Sequence, residues 1–280
     1  MVHERFFDTG TVKLNYLDYG PTSGEPLVLL HGGAWRWQEY LSLLPHFAHR
    51  WHISALDLRG NGRSGWVPDH YSLGDFTDDT GVFIRHLAAP AVLIGHSIGG
   101  VIALMVAGRC PDNVKGLIIE DPTLTVENYR RIIDASRDMF LLWLELKTAA
   151  RSEHDLALAL AEKYQAYPGV TSAWILFFAT CLWQLDPTFF NTLLSDFDRF
   201  VQGYDSQQIL ATLACPILFI RGEPALGAVM TDAEVAWLTR NGRHVRCAEI
   251  RGVGHLLHLQ DHGAQPVLTE MMRFLESLRK

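Results

Sequence analysis

The chain has 280 residues, of which 48% are hydrophobic and 20% are charged, and its formal net charge at pH 7 is −7. This length accommodates one large α/β domain, or a core with an inserted subdomain, and this composition can bury a sizeable core. The acidic balance disfavours a nucleic-acid partner, which selects for a basic face.

The N-terminal residues and the cysteines indicate no special compartment. The first residues, Met1 to Arg5, lack the hydrophobic region of a secretion signal. The apolar stretch Ala173–Trp183 is too short to span a bilayer. The cysteines are widely spaced and match no metal-binding motif: Cys110, Cys181, Cys215 and Cys247. We therefore expect a cytoplasmic protein without a membrane partner, a metal or another cofactor.

The first half of the chain alternates predicted strands and helices. Arg5–Asp8 and Thr11–Asp18 form a predicted hairpin at the start. The elements that follow are strand Pro26–Leu30, helix Gln38–His49, strand Trp51–Leu56, helix Leu73–Leu87, strand Ala91–Gly95, helix Ser97–Gly108 and strand Val114–Glu120. This alternation predicts an α/β fold with a mostly parallel sheet and helices on both faces.

The second half contains an interruption. From Pro122 to about Gln208 the sequence shows only helical patterns rich in Leu, Ala and aromatic residues, which predicts an inserted helical cap. The predicted core comprises residues 1–121 and 209–280, and the predicted cap comprises residues 122–208. The alternation then resumes with strand Pro216–Arg221, helix Asp232–Thr239, strand Val245–Ile250 and helix Ala264–Leu278.

The strand Ala91–Gly95 runs into the motif Gly95-His96-Ser97-Ile98-Gly99. A serine at a tight strand-to-helix turn has a strained backbone, and its hydroxyl points outward. Glycine is expected at positions 95 and 99 because side chains there would collide across the turn. Ser97 is therefore the candidate nucleophile.

A serine hydroxyl needs a base, and a charged intermediate needs hydrogen-bond donors. His255 follows the last predicted strand, and a histidine exchanges protons near neutral pH. His258 is the nearest competitor and is expected to be a packed neighbour. The backbone N–H of Ile98 is one predicted oxyanion donor. The second comes from the loop after an early strand, with Gly33 preferred and Ala34 as the alternative.

Together these motifs resemble those of serine-nucleophile α/β-hydrolases with a helical cap. The matching segments span nearly the whole core: His31-Gly32-Gly33, Asp57–Ser64, Gly95–Gly100 and Gly254-His255. The resemblance implies an eight-stranded, mostly parallel sheet with the site at the C-terminal strand ends, and hydrolysis through an acyl-serine intermediate. It also implies that Asp57–Ser64 is a structural loop braced by Arg59.

The triad acid departs from the family pattern. Most relatives carry an aspartate shortly after the seventh strand, where this chain has Ala225. Two carboxylates are candidates to replace it. Asp121 ends the preceding strand, a position from which certain haloalkane dehalogenases supply their acid, and Glu223 follows the seventh strand. The sequence favours Asp121 and leaves Glu223 open, while Glu120 should point away from Asp121.

The substrate pocket is expected to be mostly apolar. Its predicted residues are His31, Trp35, His96 and Trp183, whereas most cap aromatics are expected to form the cap core. These features predict a hydrolase for a small hydrophobic ester or lactone. Two alternatives stay open, a C–C bond hydrolase with the same triad and a weakly catalytic, receptor-like protein that binds a small ligand.

Overall fold

The computed structural model describes residues 3–167 and 170–278. Eight strands in these ranges form one sheet: β1 (His3–Asp8), β2 (Lys13–Tyr19), β3 (Glu25–Leu30), β4 (Trp51–Leu56), β5 (Ala91–His96), β6 (Val114–Glu120), β7 (Ile217–Arg221) and β8 (Val245–Glu249). Their order is β1-β2-β4-β3-β5-β6-β7-β8. The β1–β2 and β2–β4 pairs are antiparallel and the others are parallel. The expected eight-stranded, mostly parallel sheet is confirmed.

The α-helices of the described ranges are α1 (Leu44–Phe47), α2 (Leu73–His86), α3 (Ile98–Arg109), α4 (Val126–Ala135), α5 (Arg137–Ala149), α6 (Glu153–Tyr164), α7 (Ser172–Trp183), α8 (Thr188–Ser195), α9 (Phe197–Phe200), α10 (Ser206–Thr212), α11 (Asp232–Asn241) and α12 (Asp261–Ser277). None of them is both long and apolar enough to cross a bilayer.

One predicted helix is wrong as a continuous element. In place of Gln38–His49 the chain forms a 3₁₀ turn at Trp37–Tyr40 and then the short helix α1. Pro45 lies in the first turn of α1, and it lacks the N–H that a helix interior requires. Its ring would also collide with the carbonyl four residues earlier, which disfavours one continuous helix through Pro45.

The sheet has a hydrophobic layer on each face. Alternate residues of a strand point to opposite faces, so Leu93 packs in the layer that contains α2 and α3. Its neighbours Val92 and Ile94 pack in the layer that contains α1 and α12. Because both faces are covered, β5 is buried along its whole length, as its continuous apolar run predicts.

The sheet register brings the candidate site residues to one edge. In the parallel strands, Leu30 of β3 lies beside Gly95 of β5, and His96 lies beside Glu120 of β6. The residues that follow therefore leave the sheet next to one another. These are the loop after β3, Ser97 after β5 and Asp121 after β6.

The interval between β6 and β7 contains α4 to α10, and none of its described residues forms a strand. Its contacts with the core include the side chain of Asp186, which accepts a hydrogen bond of 2.5 Å from the Tyr71 hydroxyl, and the Asp186 N–H, which donates to Gly60 O at 2.7 Å. The predicted boundary between the cap and the core, between residues 208 and 209, lies inside α10. This helix packs on α3 of the core.

Candidate active site

Ser97 occupies a strained turn between β5 and α3. Its φ of 55° and ψ of −119° are values that residues with a side chain rarely adopt. A Cβ at Gly95 would lie 2.3 Å from Gly99 O, and one at Gly99 would lie 2.1 Å from Leu30 O. Both glycines are therefore required by close backbone contacts. The Ser97 N–H donates to Glu120 O at 2.8 Å, which fixes the turn against β6.

His255 connects Ser97 to a carboxylate. Its Nε2 lies 3.0 Å from Ser97 Oγ, and its Nδ1 lies 2.7 Å from Asp121 Oδ2. An ionised carboxylate only accepts hydrogen bonds, so the hydrogen-bond pattern assigns the ring proton to Nδ1. Nε2 is then free to accept the hydroxyl proton of Ser97. The Asp121 side chain is 0% exposed and the His255 side chain is 27% exposed, so the base faces the open side.

Backbone amides from the loop after β7 surround the Asp121 carboxylate. The Val229 N–H donates to Oδ2 at 2.8 Å, and the Met230 N–H donates to Oδ1 at 3.1 Å. Asp121 itself has a left-handed backbone conformation with φ of 42°. These donors compensate for burying a charged group, which is costly without partners.

Glu223, the other predicted acid, is not brought to His255. Its carboxylate instead accepts a hydrogen bond of 2.9 Å from the Gly252 N–H, at the start of the loop that carries His255. No hydrogen bond between Glu223 and His255 occurs in the described part of the chain. Ala225, where the family aspartate is expected, is exposed in a 3₁₀ turn.

The predicted oxyanion donors lie around the same cavity as Ser97: Gly33, Ala34 and Ile98. Ile98 is the first residue of α3, so its N–H has no acceptor within the helix. In residues 3–167 and 170–278, the N–H groups of Gly33 and Ala34 also have no acceptor. The N–H of Gly32, by contrast, donates to Glu39 Oε2 at 2.7 Å.

A cavity of about 400 Å³ extends from Ser97 to the helices inserted after β6. Trp35 and His96, two of the residues predicted for the substrate pocket, line this cavity. Its walls also contain side chains that the sequence did not single out: Tyr129, Ile132, Ile133, Met139, Phe140, Tyr164 and Leu193. Helical spacing indicates that such residues are buried but not which face looks into a cavity, so no sequence signal identifies them.

Two predicted pocket residues do not line the cavity. His31 is fully buried, with Nδ1–H donating to Gly32 O at 2.7 Å and Nε2 accepting from the Leu58 N–H at 3.0 Å. Both ring nitrogens therefore support the loop backbone. Trp183 lies at the end of α7, where Lys147 Nζ is 5.8 Å from its ring centre. The Lys147 ammonium caps that helix end by donating to the Trp183 carbonyl at 2.8 Å.

Aromatic rings form much of the cavity wall. The Phe178 ring is central among them. It stacks on Trp174 with ring centres 5.0 Å apart, meets Trp143 edge-on at 4.8 Å, and lies 5.4 Å from Trp35. Rings packed against one another in this way make the wall apolar.

The pKa of His96, the residue directly before Ser97, is strongly perturbed. Burial lowers the pKa of His96, but the Glu39 carboxylate outweighs burial and raises it to about 9. For Glu39 the two effects have the opposite signs. Burial raises the pKa of the Glu39 carboxyl, but the neighbouring His96 more than offsets this, so the pKa lies below its usual value. The two groups form a buried ion pair, with 2.5 Å between His96 Nδ1 and Glu39 Oε1.

In the part of the chain that the structure describes, no group of three or more His, Cys, Asp or Glu side chains could hold a metal ion. The groups arranged around Ser97 are its own hydroxyl, the His255 imidazole, the Asp121 carboxylate and the free amides. This set can support nucleophilic attack on a carbonyl carbon with transfer of the hydroxyl proton.

The model of the Alpha/beta hydrolase family matches residues 27–267. The 2-(acetamidomethylene)succinate hydrolase of Mesorhizobium japonicum is 27% identical over 262 residues, which cover 91% of this chain and 89% of that protein. The crystal structure of an E-2-(acetamidomethylene)succinate hydrolase has a TM-score of 0.73 at 20% identity and covers 99% of this chain and 100% of its own.

A shorter match covers only part of a longer relative. The dihydrolipoyllysine-residue acetyltransferase component of the acetoin cleaving system of Pseudomonas putida is 34% identical over 111 residues. These residues are 39% of this chain and 30% of that protein, so the match covers less than a third of its length.

Proposed function

Because the chain belongs to the alpha/beta hydrolase family, we propose that it is a serine hydrolase for an uncharged, hydrophobic carboxylic ester or lactone. The observation that carries this proposal is the continuous hydrogen-bond chain from Asp121 through His255 to Ser97, at the end of an apolar cavity.

In the proposed reaction, Ser97 Oγ attacks the carbonyl carbon while His255 Nε2 accepts the hydroxyl proton. Asp121 stabilises the resulting imidazolium and holds its orientation. The N–H of Ile98 and an N–H of the loop after β3, that of Gly33 or Ala34, stabilise the negative oxygen. His255 then returns the proton to the leaving alkoxide. Water, activated by the same imidazole, releases the acid and regenerates Ser97.

We further propose that residues 122–208 act as a cap that determines which substrates fit. The wall of the cavity opposite Ser97 consists of side chains from α4, α5, α6, α7 and α8. Removing apolar surface from water stabilises a bound apolar group, at about 25 cal/mol per Å². A planar or aryl group would contact several rings of this wall at once.

The cavity chemistry supports a substrate without charge. Among its described lining residues there is no Lys, Arg, Asp or Glu, and the charge of His96 is balanced by Glu39. The 2-(acetamidomethylene)succinate hydrolases act on a succinate, which carries two carboxylates. Such a substrate would need cationic partners that this lining lacks, because an unpaired charge is costly in an apolar site. We therefore propose a different substrate class for this chain.

The test compares two p-nitrophenyl esters of similar length, the neutral butyrate and the negatively charged hemisuccinate, on wild type and Ser97→Ala. We expect repeated turnover of the butyrate, a loss of about 10⁴-fold or more in Ser97→Ala, and roughly 10²-fold slower turnover of the hemisuccinate.

Other outcomes would contradict the proposal in distinguishable ways. Turnover that persists in Ser97→Ala would exclude Ser97 as the nucleophile. A single stoichiometric burst of p-nitrophenol would indicate a receptor-like binding protein. Ser97-dependent cleavage of a β-diketone, with no ester hydrolysis, would indicate a C–C bond hydrolase. Preference for the hemisuccinate would contradict only the proposed substrate class.

A further inference from the structure

Two carboxylates and two imidazoles lie behind the candidate triad. Glu39, His96, Glu120 and His258 are each at most 2% exposed, and we call them the buried network. The proposed chemistry assigns no role to any of them. His258 Nε2 lies 3.9 Å from Glu39 Oε1, which brings the two histidine–carboxylate pairs of the network together.

Glu39 and His96 each form a hydrogen bond with the backbone of a different loop. Glu39 Oε2 accepts the Gly32 N–H at 2.7 Å, at the start of the loop that carries the predicted oxyanion donors. The Nε2–H of His96 donates to the carbonyl of His255 at 2.9 Å. His96 is also the residue directly before Ser97. This pair therefore links the oxyanion loop, the nucleophile turn and the segment of the base.

The second pair continues the connection to the acid. His258 Nδ1–H donates to Glu120 Oε2 at 2.8 Å, and Glu120 directly precedes Asp121. The carbonyl of Glu120 accepts the Ser97 N–H at 2.8 Å. The Tyr40 ring stacks on His258 with ring centres 5.0 Å apart and an angle of 12° between the planes.

Stability alone does not account for such a network. Burying an ion pair has a large desolvation cost, and well-packed hydrophobic side chains of similar volume are often as stable. What apolar side chains could not supply are the directional bonds to Gly32 and His255. Misplacing a catalytic group by about 1 Å can lower the rate roughly 10²-fold, so such bonds have catalytic value.

We propose that Glu39 and His96 are positioning residues, which hold the oxyanion loop and the His255 backbone at the geometry that Ser97 requires. This inference rests on the proposed function, because it concerns the same reaction. It predicts that a variant without the His96-to-His255 hydrogen bond binds substrate normally but reacts slowly.

The chain offers a matched pair of variants at position 96. The amide nitrogen of a glutamine can occupy the place of imidazole Nε2 and still donate to His255 O. An asparagine reaches only the place of Nδ1, so it keeps a contact with Glu39 and loses the one with His255. We expect kcat to fall roughly 10²-fold in His96→Asn, with KM changed less than threefold. In His96→Gln most of this loss should be recovered.

Two further variants complete the set. Glu39→Gln is nearly isosteric and keeps an acceptor for the Gly32 N–H, so we expect about a tenfold loss in kcat. His52→Gln is the control, because it removes another histidine–carboxylate pair at the opposite end of the strands. In that pair His52 Nε2 lies 2.6 Å from Asp18 Oδ1. Its kcat should equal that of wild type.

Each kcat is divided by the concentration of sites that an organophosphonate titrates, so that misfolded protein does not count. Equal kcat per site in wild type and His96→Asn would overturn the inference while the proposed function stands. An equal loss in His96→Asn and His96→Gln would assign His96 a purely structural role. Absence of both turnover and Ser97 labelling in wild type would defeat the proposed function and this inference together.

A measurement on the intact protein covers the case in which the variants fail to fold. ¹⁵N NMR of His96 at pH 7 reports whether both ring nitrogens carry protons. We expect an imidazolium, in wild type and equally in Ser97→Ala. A ring without a proton on Nε2 could not donate to the His255 carbonyl, and the inference would then be wrong.

Discussion

Replacing Asp121 by asparagine tests the triad acid, and the surrounding amides determine what the variant does. Asp121 Oδ2 accepts both His255 Nδ1–H and the Val229 N–H, while Oδ1 accepts the Met230 N–H. An asparagine with its oxygen in the place of Oδ2 keeps two of these bonds, and its NH₂ group then faces the Met230 N–H, another donor. In the reverse orientation the NH₂ group would face the Val229 N–H and would leave His255 with the wrong tautomer. We therefore expect the first orientation.

In that orientation the variant loses charge but keeps the geometry of the imidazole. Two unit charges 2.7 Å apart interact by about 6 kcal/mol at an effective dielectric constant of about 20. The neutral hydrogen bond that remains contributes about 1 kcal/mol. The imidazolium formed in the reaction thus loses about 4 to 5 kcal/mol, which corresponds to a roughly 10³- to 10⁴-fold lower kcat/KM.

The assay measures kcat/KM for p-nitrophenyl butyrate in Asp121→Asn and in the matched variant Glu223→Gln. Glutamine can still accept the Gly252 N–H, so Glu223→Gln should remain within about twofold of wild type. Circular dichroism checks that both variants fold. A loss of less than tenfold in Asp121→Asn, or a comparable loss in Glu223→Gln, would refute the assignment of Asp121 as the acid.

Two predictions concern stability. At a backbone φ of 55°, glycine is less strained than alanine, so Ser97→Gly should be about 1 kcal/mol more stable than Ser97→Ala in urea unfolding, the reverse of the usual order. The second concerns His96, whose pKa rises from 6.5 to about 9 on folding, so that its contribution is complete below pH 6.5 and is lost as pH rises through 9. The stability difference between wild type and His96→Asn should therefore shrink by about 3 kcal/mol between pH 6 and pH 10. A difference independent of pH would show that His96 does not gain charge on folding.

The strands and the nucleophile turn could be predicted because their determinants are local. A run such as Ala91–Gly95 is apolar throughout because helices cover both faces of a parallel strand, and β5 extends it by only one residue, to His96. The glycines at 95 and 99 are likewise imposed by atoms within the turn or beside it. The helix predicted at Gln38–His49 is wrong for an equally local reason, because Pro45 disfavours a continuous helix and is accommodated in the first turn of α1.

The cavity wall could not be predicted in this way. Phe140 in α5 and Phe178 in α7 each lie among apolar residues at helical spacing. This spacing indicates burial but not which side of the helix faces Ser97. That side depends on how α5 and α7 pack against each other and against the other inserted helices. The pairing of Glu39 with His96 could not be predicted for a related reason. The two residues are 57 positions apart in the sequence, and the order of the strands in the sheet brings them together.

The proposed acid, Asp121, depends both on its own strand and on a distant loop. A carboxylate that is 0% exposed needs several donors, and Asp121 obtains two of them from Val229 and Met230. These amides belong to the loop after β7, where most relatives carry the aspartate itself. Since β6 and β7 are neighbours in the sheet, that loop lies beside Asp121 whichever strand supplies the acid. In the proposed site, the loop after β7 therefore provides two donors, and the end of the neighbouring strand provides the charge.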